Sequence, residues 1–278
     1  MLSGRRSQND KNGKINEANF LNKFNSDKTF RNSVLITFNI PPNTQNCKLE
    51  HKGGMKYNYD FVLSVPNHED EKIELKVGKN LHNISQLPQI IQLPIKNTKF
   101  GEKYIKEAFD ILKYDLINIY AKETEEYNEI DDLDYENYYK YINDMKHKNI
   151  LTNVYASYSR NKEINEIFAE RYGELTNNFL LKMTTEDKQE IGSIVVERLK
   201  QQITKTFFLI DTNKSEEEAF KSYKTFKMQN FSNTASRIES VNKSISVYID
   251  KYKAVCLLRW KNGSLIAMPC LQIKLVEL

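Results

Sequence analysis

Between Ile73 and Val77 the chain alternates without a break, Ile73, Leu75 and Val77 against Glu74 and Lys76. A period of two belongs to a β-strand, so the three aliphatic side chains share one face and the carboxylate and ammonium share the other. Both charged groups are costly to take out of water, so a core strand that carries them side by side needs a chemical reason. Upstream, Asp60 precedes the apolar Phe61-Val62-Leu63, and the polar turn Pro66-Asn67-His68-Glu69-Asp70 separates the two strands. With Val65 paired to Glu71 across that turn, antiparallel register sets Asp60 opposite Lys76 and Val62 opposite Glu74. Asp60, Glu74 and Lys76 then project from one face, an arrangement that a one-residue slip would destroy.

Around this hairpin the pattern predicts an α/β core. Ile15, Phe20, Leu21 and Phe24 form one apolar helical face, closed by Asn25, Ser26 and Asp27. The β-branched run Ser33 to Ile40 reads as a buried strand stopped by Pro41 and Pro42, Met55 to Val65 as a second strand, and KIELKVG, ending at Gly78, as a third. Ser85 to Pro94 is interrupted by Pro88 and Pro94 and has no clear reading. Gly101 to Ala121 is an amphipathic helix through Tyr104, Ile105, Ala108, Ile111, Leu112, Leu116 and Ile119. An acidic stretch from Glu123 to Glu136 follows, read as a solvated loop; the glycine and terminal glutamate of a calcium loop are missing. Helices resume over Asn161 to Leu181 and Ser193 to Phe208. Strands follow at Ile245 to Ile249, Ala254 to Trp260 and Leu265 to Leu275, with Lys261-Asn262-Gly263 as a hairpin turn. The expected division is a flexible basic arm over 1–14, a catalytic core over 15–121, and a helical and β-hairpin elaboration over 122–278.

Composition narrows the classes. With 40% hydrophobic residues the chain can fill a core, and its 28% charged residues nearly cancel, to +4. That bias is compatible with nucleic acid and does not establish it. Cys47, Cys256 and Cys270 are far apart and odd in number, which fits reduced thiols in a cytoplasmic protein. The four histidines, His51, His68, His82 and His147, show no zinc-site spacing. No apolar run reaches membrane-spanning length, and the N-terminal stretch lacks a signal-peptide core.

Two carboxylates beside an ammonium suit phosphodiester hydrolysis. The acids can hold Mg²⁺, a hard ion that prefers oxygen ligands, and the ion lowers the pKa of a bound water and polarises the phosphate. The lysine can orient that water and offset developing charge. Asp60, the hairpin, then Glu74-Leu75-Lys76 resembles the signature of the PD-(D/E)xK nuclease superfamily, with Tyr59 where the signature's proline stands. The resemblance spans Ile15 to Ala121 and implies a restriction-endonuclease-like αβββαβ core. It also implies roles for Glu17, as an acidic residue of the first helix that reaches the metal or its waters, and for Gln89, near the phosphate. Its further implication is a type II restriction enzyme that uses Mg²⁺, acts on a short site in double-stranded DNA and works as a homodimer.

Contacts to DNA are expected from Lys79 and His82 near the site, and from Lys224, Lys227 and Arg237, which lie among aromatic and amide residues. Arg259, beside Trp260, is a second candidate surface. No phosphate-loop motif GxxxxGK[ST] occurs, so cleavage is expected to need no ATP. The competing readings are a structure-specific or repair nuclease, a non-catalytic nucleic-acid-binding module of the same fold, and a protein-interaction domain docking through the acidic stretch.

Overall fold

The computed structural model describes residues 6–53, 57–87, 89–115, 162–241, 244–260 and 269–278. Among the described residues it is a mixed α and β structure with two five-stranded sheets. The chain divides into two compact units, one formed by Ser3–Pro88 and Glu197–Ser232, the other by Gln89–Val196 and Asn233–Leu278. Strands neighbouring in the first sheet come from stretches far apart in the chain, 48–78 and 205–227.

The first unit begins with two helices, α1 (Arg6–Ser26) and α2 (Lys28–Thr37). Helix α1 starts at Arg6, so residues expected to form a flexible arm belong to its first turns. Nothing from Arg6 to Lys14 breaks a helix except Gly13, where an added Cβ would meet open space. The expected strand over Ser33 to Ile40 is instead helical to Thr37. Asp27 caps α2, its Oδ1 accepting from the backbone N–H of Thr29 and Phe30 at 2.9 and 3.1 Å. Phe30, Val34 and Leu35 then bury one helical face. Tertiary packing of that face outweighs the modest helix penalty of the β-branched residues.

The first sheet has the order β1 (Lys48–His51), β2 (Phe61–Ser64), β3 (Glu71–Gly78), β5 (Lys205–Asp211), β6 (Lys224–Lys227). All neighbours are antiparallel except β3 and β5, which run parallel. Strand β1 carries the polar sequence Lys-Leu-Glu-His at the sheet's edge, where only Leu49 is buried, and alternation could not announce it. Strand β5 overturns the helix expected to run to Phe208: helix α5 (Thr185–Ile203) stops at Ile203 and β5 follows at once. All seven residues of β5 are buried. A strand covered on both faces shows no period of two, which is why its sequence reads ambiguously.

One ring anchors α1 to this sheet. Phe20 is fully buried and packs against Phe30, Phe61 and Phe208 at centroid distances of 5.4, 5.3 and 5.6 Å. Phe24, one turn later, is buried beside it. Asn16 and Glu17 lie four and three residues before Phe20, so this packing fixes the turn of α1 that faces the strand ends.

In the second unit, β4 (Ile91–Pro94), β10 (Pro269–Glu277), β9 (Tyr252–Trp260), β8 (Ser244–Ile249) and β7 (Arg237–Val241) form an antiparallel sheet in that order. The expected C-terminal strands are present, with β10 beginning at Pro269; the hairpin turn at Lys261 and the acidic stretch lie outside the described residues. Helix α3 (Lys99–Asp115) matches the expected amphipathic helix over its described length. Glu190 of α5 accepts from the backbone N–H of Lys99 and Phe100 at the start of α3. Tyr104 of α3 bonds Thr176 of α4 (Lys162–Leu181) at 3.0 Å. No described helix is long and apolar enough to cross a membrane.

Replacing Phe20 with alanine removes the ring that joins α1, α2 and the sheet, and the expected cost is about 3–5 kcal/mol. Urea unfolding of the two proteins checks it. A loss under about 1 kcal/mol would mean that α1 is held in some other way.

Candidate active site

The turn after β2 sets the geometry. Val65 accepts from the N–H of His68 at 3.1 Å, with Pro66 and Asn67 between them and Asn67 at φ 63°. Proline fixes its own φ, and asparagine tolerates the left-handed region, so the chain bends tightly there. The ladder therefore pairs Leu63, not Val65, with Glu71, and Phe61 with Ile73. The register differs from the expected one by two residues. Because side chains alternate with a period of two, the slip preserves faces: Asp60 comes level with Glu74 instead of Lys76 and still projects beside both.

Past Ile73 the β2–β3 ladder ends, and the carboxylate of Asp60 takes over the role of a strand. Its Oδ2 accepts from the backbone N–H of Leu75 at 2.7 Å. The Asp60 backbone is tied on both sides, its N–H donating to Ile73 at 2.9 Å and its carbonyl accepting from Lys52 at 2.7 Å. Among the described residues Oδ1 has no hydrogen-bond partner.

Glu74 is held by two cations. Lys76 donates to Oε1, and Lys205 donates to Oε2 at 3.0 Å. The Lys205 side chain is 3% exposed and also donates to the carbonyl of Asn58, two residues before Asp60. Burial pushes the Lys205 ammonium below its usual range, against the pull of Glu74. Sequence reasoning missed Lys205 because its segment reads as helix. A lysine opening a wholly buried strand was the one available signal.

Burial and the neighbouring charge of Glu74 push the Asp60 carboxyl up to about 6, opposed by the Leu75 N–H and by Lys76. An acid held away from water beside a second acid is a site where a cation is favoured. Glu17 lies on the same cavity wall and also pushes Asp60 up; its Oε2 meets His51 Nε2 at 2.6 Å. The cavity measures ≈ 550 Å³ and is bordered by Asn16, Glu17, Asp60, Lys76, Lys79 and Thr212. Among the described residues no group of three or more His, Cys, Asp or Glu side chains converges as a ready metal cluster. Asp60, with Glu74 beside it, does suit an ion such as Mg²⁺, which needs only one or two protein carboxylates and keeps its waters.

The remaining expected residues are dispersed. Gln89 is exposed and belongs to the second unit. His82 of the first unit lies 3.6 Å from Asp211. Lys224 and Lys227 lie on the edge strand β6, with Lys227 3.7 Å from Glu71. In the second unit, Arg237 stacks over Tyr248 at 4.0 Å and pairs with Glu239, while Arg259 donates to Gln272 at 2.9 Å.

Compared with protein-family models, with curated proteins and with solved structures, the chain matches none.

Two measurements probe this geometry. The folded state binds the Asp60 proton more tightly than the unfolded chain does, since about 6 lies above the ordinary 3.8. The contribution of Asp60 to metal-free stability should therefore fall as pH rises from about 4 through about 6. Asp60→Asn keeps an acceptor for Leu75 and removes the charge. It should stabilise the metal-free protein by roughly 1–3 kcal/mol at neutral pH and by nothing near pH 4. A melting profile in which the two proteins run parallel across that range contradicts the assignment.

Lys205→Met keeps the apolar stem and leaves Glu74 and the Asn58 carbonyl without their buried donor, at an expected cost of about 3–5 kcal/mol. Lys76→Met, on the more exposed side of the same carboxylate, should cost under about 1 kcal/mol. Denaturant titrations showing equal losses would refute the difference between the two cations.

Proposed function

We propose that this protein is a metal-dependent endonuclease that hydrolyses phosphodiester bonds in DNA, with Asp60, Glu74 and Lys76 as its catalytic residues. The observation that carries the reading is their meeting where the β2–β3 ladder ends, Asp60 and Lys76 on the wall of an open cavity of ≈ 550 Å³ and Glu74 bonded to Lys76, with the Asp60 carboxyl held up to about 6 by burial and by Glu74. The element order adds support. Helices α1 and α2 precede β1, β2 and β3; after β4, α3 and α4, helix α5 leads directly into β5, which lies parallel to β3. Read with α2, β4, α3 and α4 as additions, this order is compatible with the αβββαβ core that the residues around Asp60 and Glu74 imply.

In this reading Asp60 and Glu74 would hold Mg²⁺, and Glu17, on the same cavity wall as Asp60, would accept from water beside it. When bound, the ion polarises the scissile phosphate and makes a coordinated water more acidic. Lys76 aligns the attacking water and neutralises charge growing on the phosphate oxygens. Lys205 holds the Glu74 carboxylate in place, and the Leu75 N–H does the same for that of Asp60. Lys79, on the cavity rim, contacts the DNA backbone, where a lysine gives charge without sequence preference. Arg237 and Arg259 are candidates for the recognition of a short duplex site by a restriction enzyme of type II character, working as a homodimer.

The test is incubation of the purified protein with long duplex DNA and Mg²⁺, beside Asp60→Ala and Lys76→Ala. Discrete fragments are expected from the wild type, with rates at least about 100-fold lower in both variants. Equal cutting by all three proteins, or none by the wild type, would reject the reading.

A further inference from the structure

The cavity beside Asp60 does not end at the catalytic residues. Asn16, Val77 and Thr212 also line a second cavity of ≈ 270 Å³, just under the lower end of ordinary small-ligand pockets at about 300 Å³. Both cavities lie at the carboxyl ends of the parallel strands β3 and β5, where Val77 pairs with Ile210. Crevices at that end of parallel strands are habitual ligand sites, because the chain leaves the sheet there and its loops diverge.

The second cavity has an apolar and a polar side. Its walls include Val77, Ile210, Ala219 and Phe220, the last two from the short helix α6 (Glu216–Lys221). Asn16 and Asn19 of α1 supply carboxamides, and neither has a hydrogen-bond partner among the described residues. Both residues are half-buried, so these amides lose part of their contact with water without gaining a protein partner. Lys214 and Glu216 complete the polar side, so a ligand suited to this cavity is small, with apolar faces and an edge of donors and acceptors. A nucleobase is such a ligand: asparagine pairs with base edges through two hydrogen bonds, and base faces gain by leaving water.

We infer that this second cavity is a subsite for the base of the nucleotide next to the scissile phosphate, so that the substrate presents an unpaired nucleotide. The base lies between the apolar walls with its edge on Asn16 and Asn19, while its phosphate reaches Lys76 and Lys79 in the adjoining cavity. A base inside a duplex cannot enter, so the nucleotide is single-stranded or turned out of the helix. The inference rests on the nuclease reading for its phosphate half and on the amide-lined cavity for its base half.

The full-length protein is titrated by calorimetry, in Mg²⁺ buffer, with thymidine and deoxyadenosine 5′-monophosphates and with deoxyribose 5-phosphate as the control that lacks a base. Wild type should bind at least one nucleotide about tenfold more tightly than the control. The Asn16→Ala/Asn19→Ala double variant, which keeps good helix formers in α1, should lose that difference. Ala219→Leu, which narrows the cavity, should weaken the adenine nucleotide more than the thymine one. Asp60→Asn should keep the base-dependent difference. Equal affinity for nucleotide and control, no binding of either, or discrimination that survives Asn16→Ala/Asn19→Ala overturns the subsite. Discrimination in a protein that cuts no DNA upholds the subsite and rejects the nuclease reading, so the two failures are distinguishable.

Discussion

The contact between Lys205 and Glu74 joins two strands whose residues stand 131 positions apart in the chain. It places a nearly inaccessible ammonium against one oxygen of a carboxylate whose other oxygen is held by Lys76. Removing a charge from water costs several kcal/mol, and only close pairing with satisfied hydrogen bonds offsets that cost. The pairing therefore constrains the first unit sharply: β5 must begin beside β3 at this register, and the Asn58 carbonyl must lie within reach of the same ammonium. Asp60 follows two residues later. Its position, its bond to the Leu75 N–H and its proximity to Glu74 depend on how that junction closes.

The consequence is a site under electrostatic tension. Two acids share one end of a hairpin, and the less compensated one, Asp60, holds its proton to an unusually high pH. Structures keep such groups together only where the surroundings over-determine them. Here the surroundings are the aromatic cluster of Phe20, Phe30, Phe61 and Phe208, which fixes α1 on the sheet and so brings Glu17 and Asn16 to the wall of the same cavity. Core and site are thus one problem, since the ring that stabilises the helix also aims the helix's polar turn.

Between the strands that make this site the chain builds much of its second unit, whose sheet and helices have their own buried face of Ile245, Val247, Ala254, Leu271, Ile273 and Leu275. Arg237 and Arg259 stand on strands of that sheet, stacked on or bonded to neighbouring side chains. Such anchoring removes conformational freedom from both guanidinium groups.

Sequence alone determined the residues with local causes. The alternation of Ile73 to Val77 made that segment a strand with Glu74 and Lys76 on one face. The helical spacing of Phe20 and Phe24 and the amphipathic run from Gly101 placed α1 and α3. The period of two is robust enough that a register error of two residues left Asp60 on the right face. Tertiary structure decided the rest. Ser33 to Thr37 became helix because Asp27 caps it and Phe30, Val34 and Leu35 find a core to bury in, a benefit that propensity does not record. Strand β5 emerged only against β3, because a strand buried on both faces has no pattern of its own. Lys205 acquired its meaning through Glu74, a partner that no local window of sequence contains. Local periodicity fixes which face a side chain takes; which face it then meets is set by packing across the whole chain.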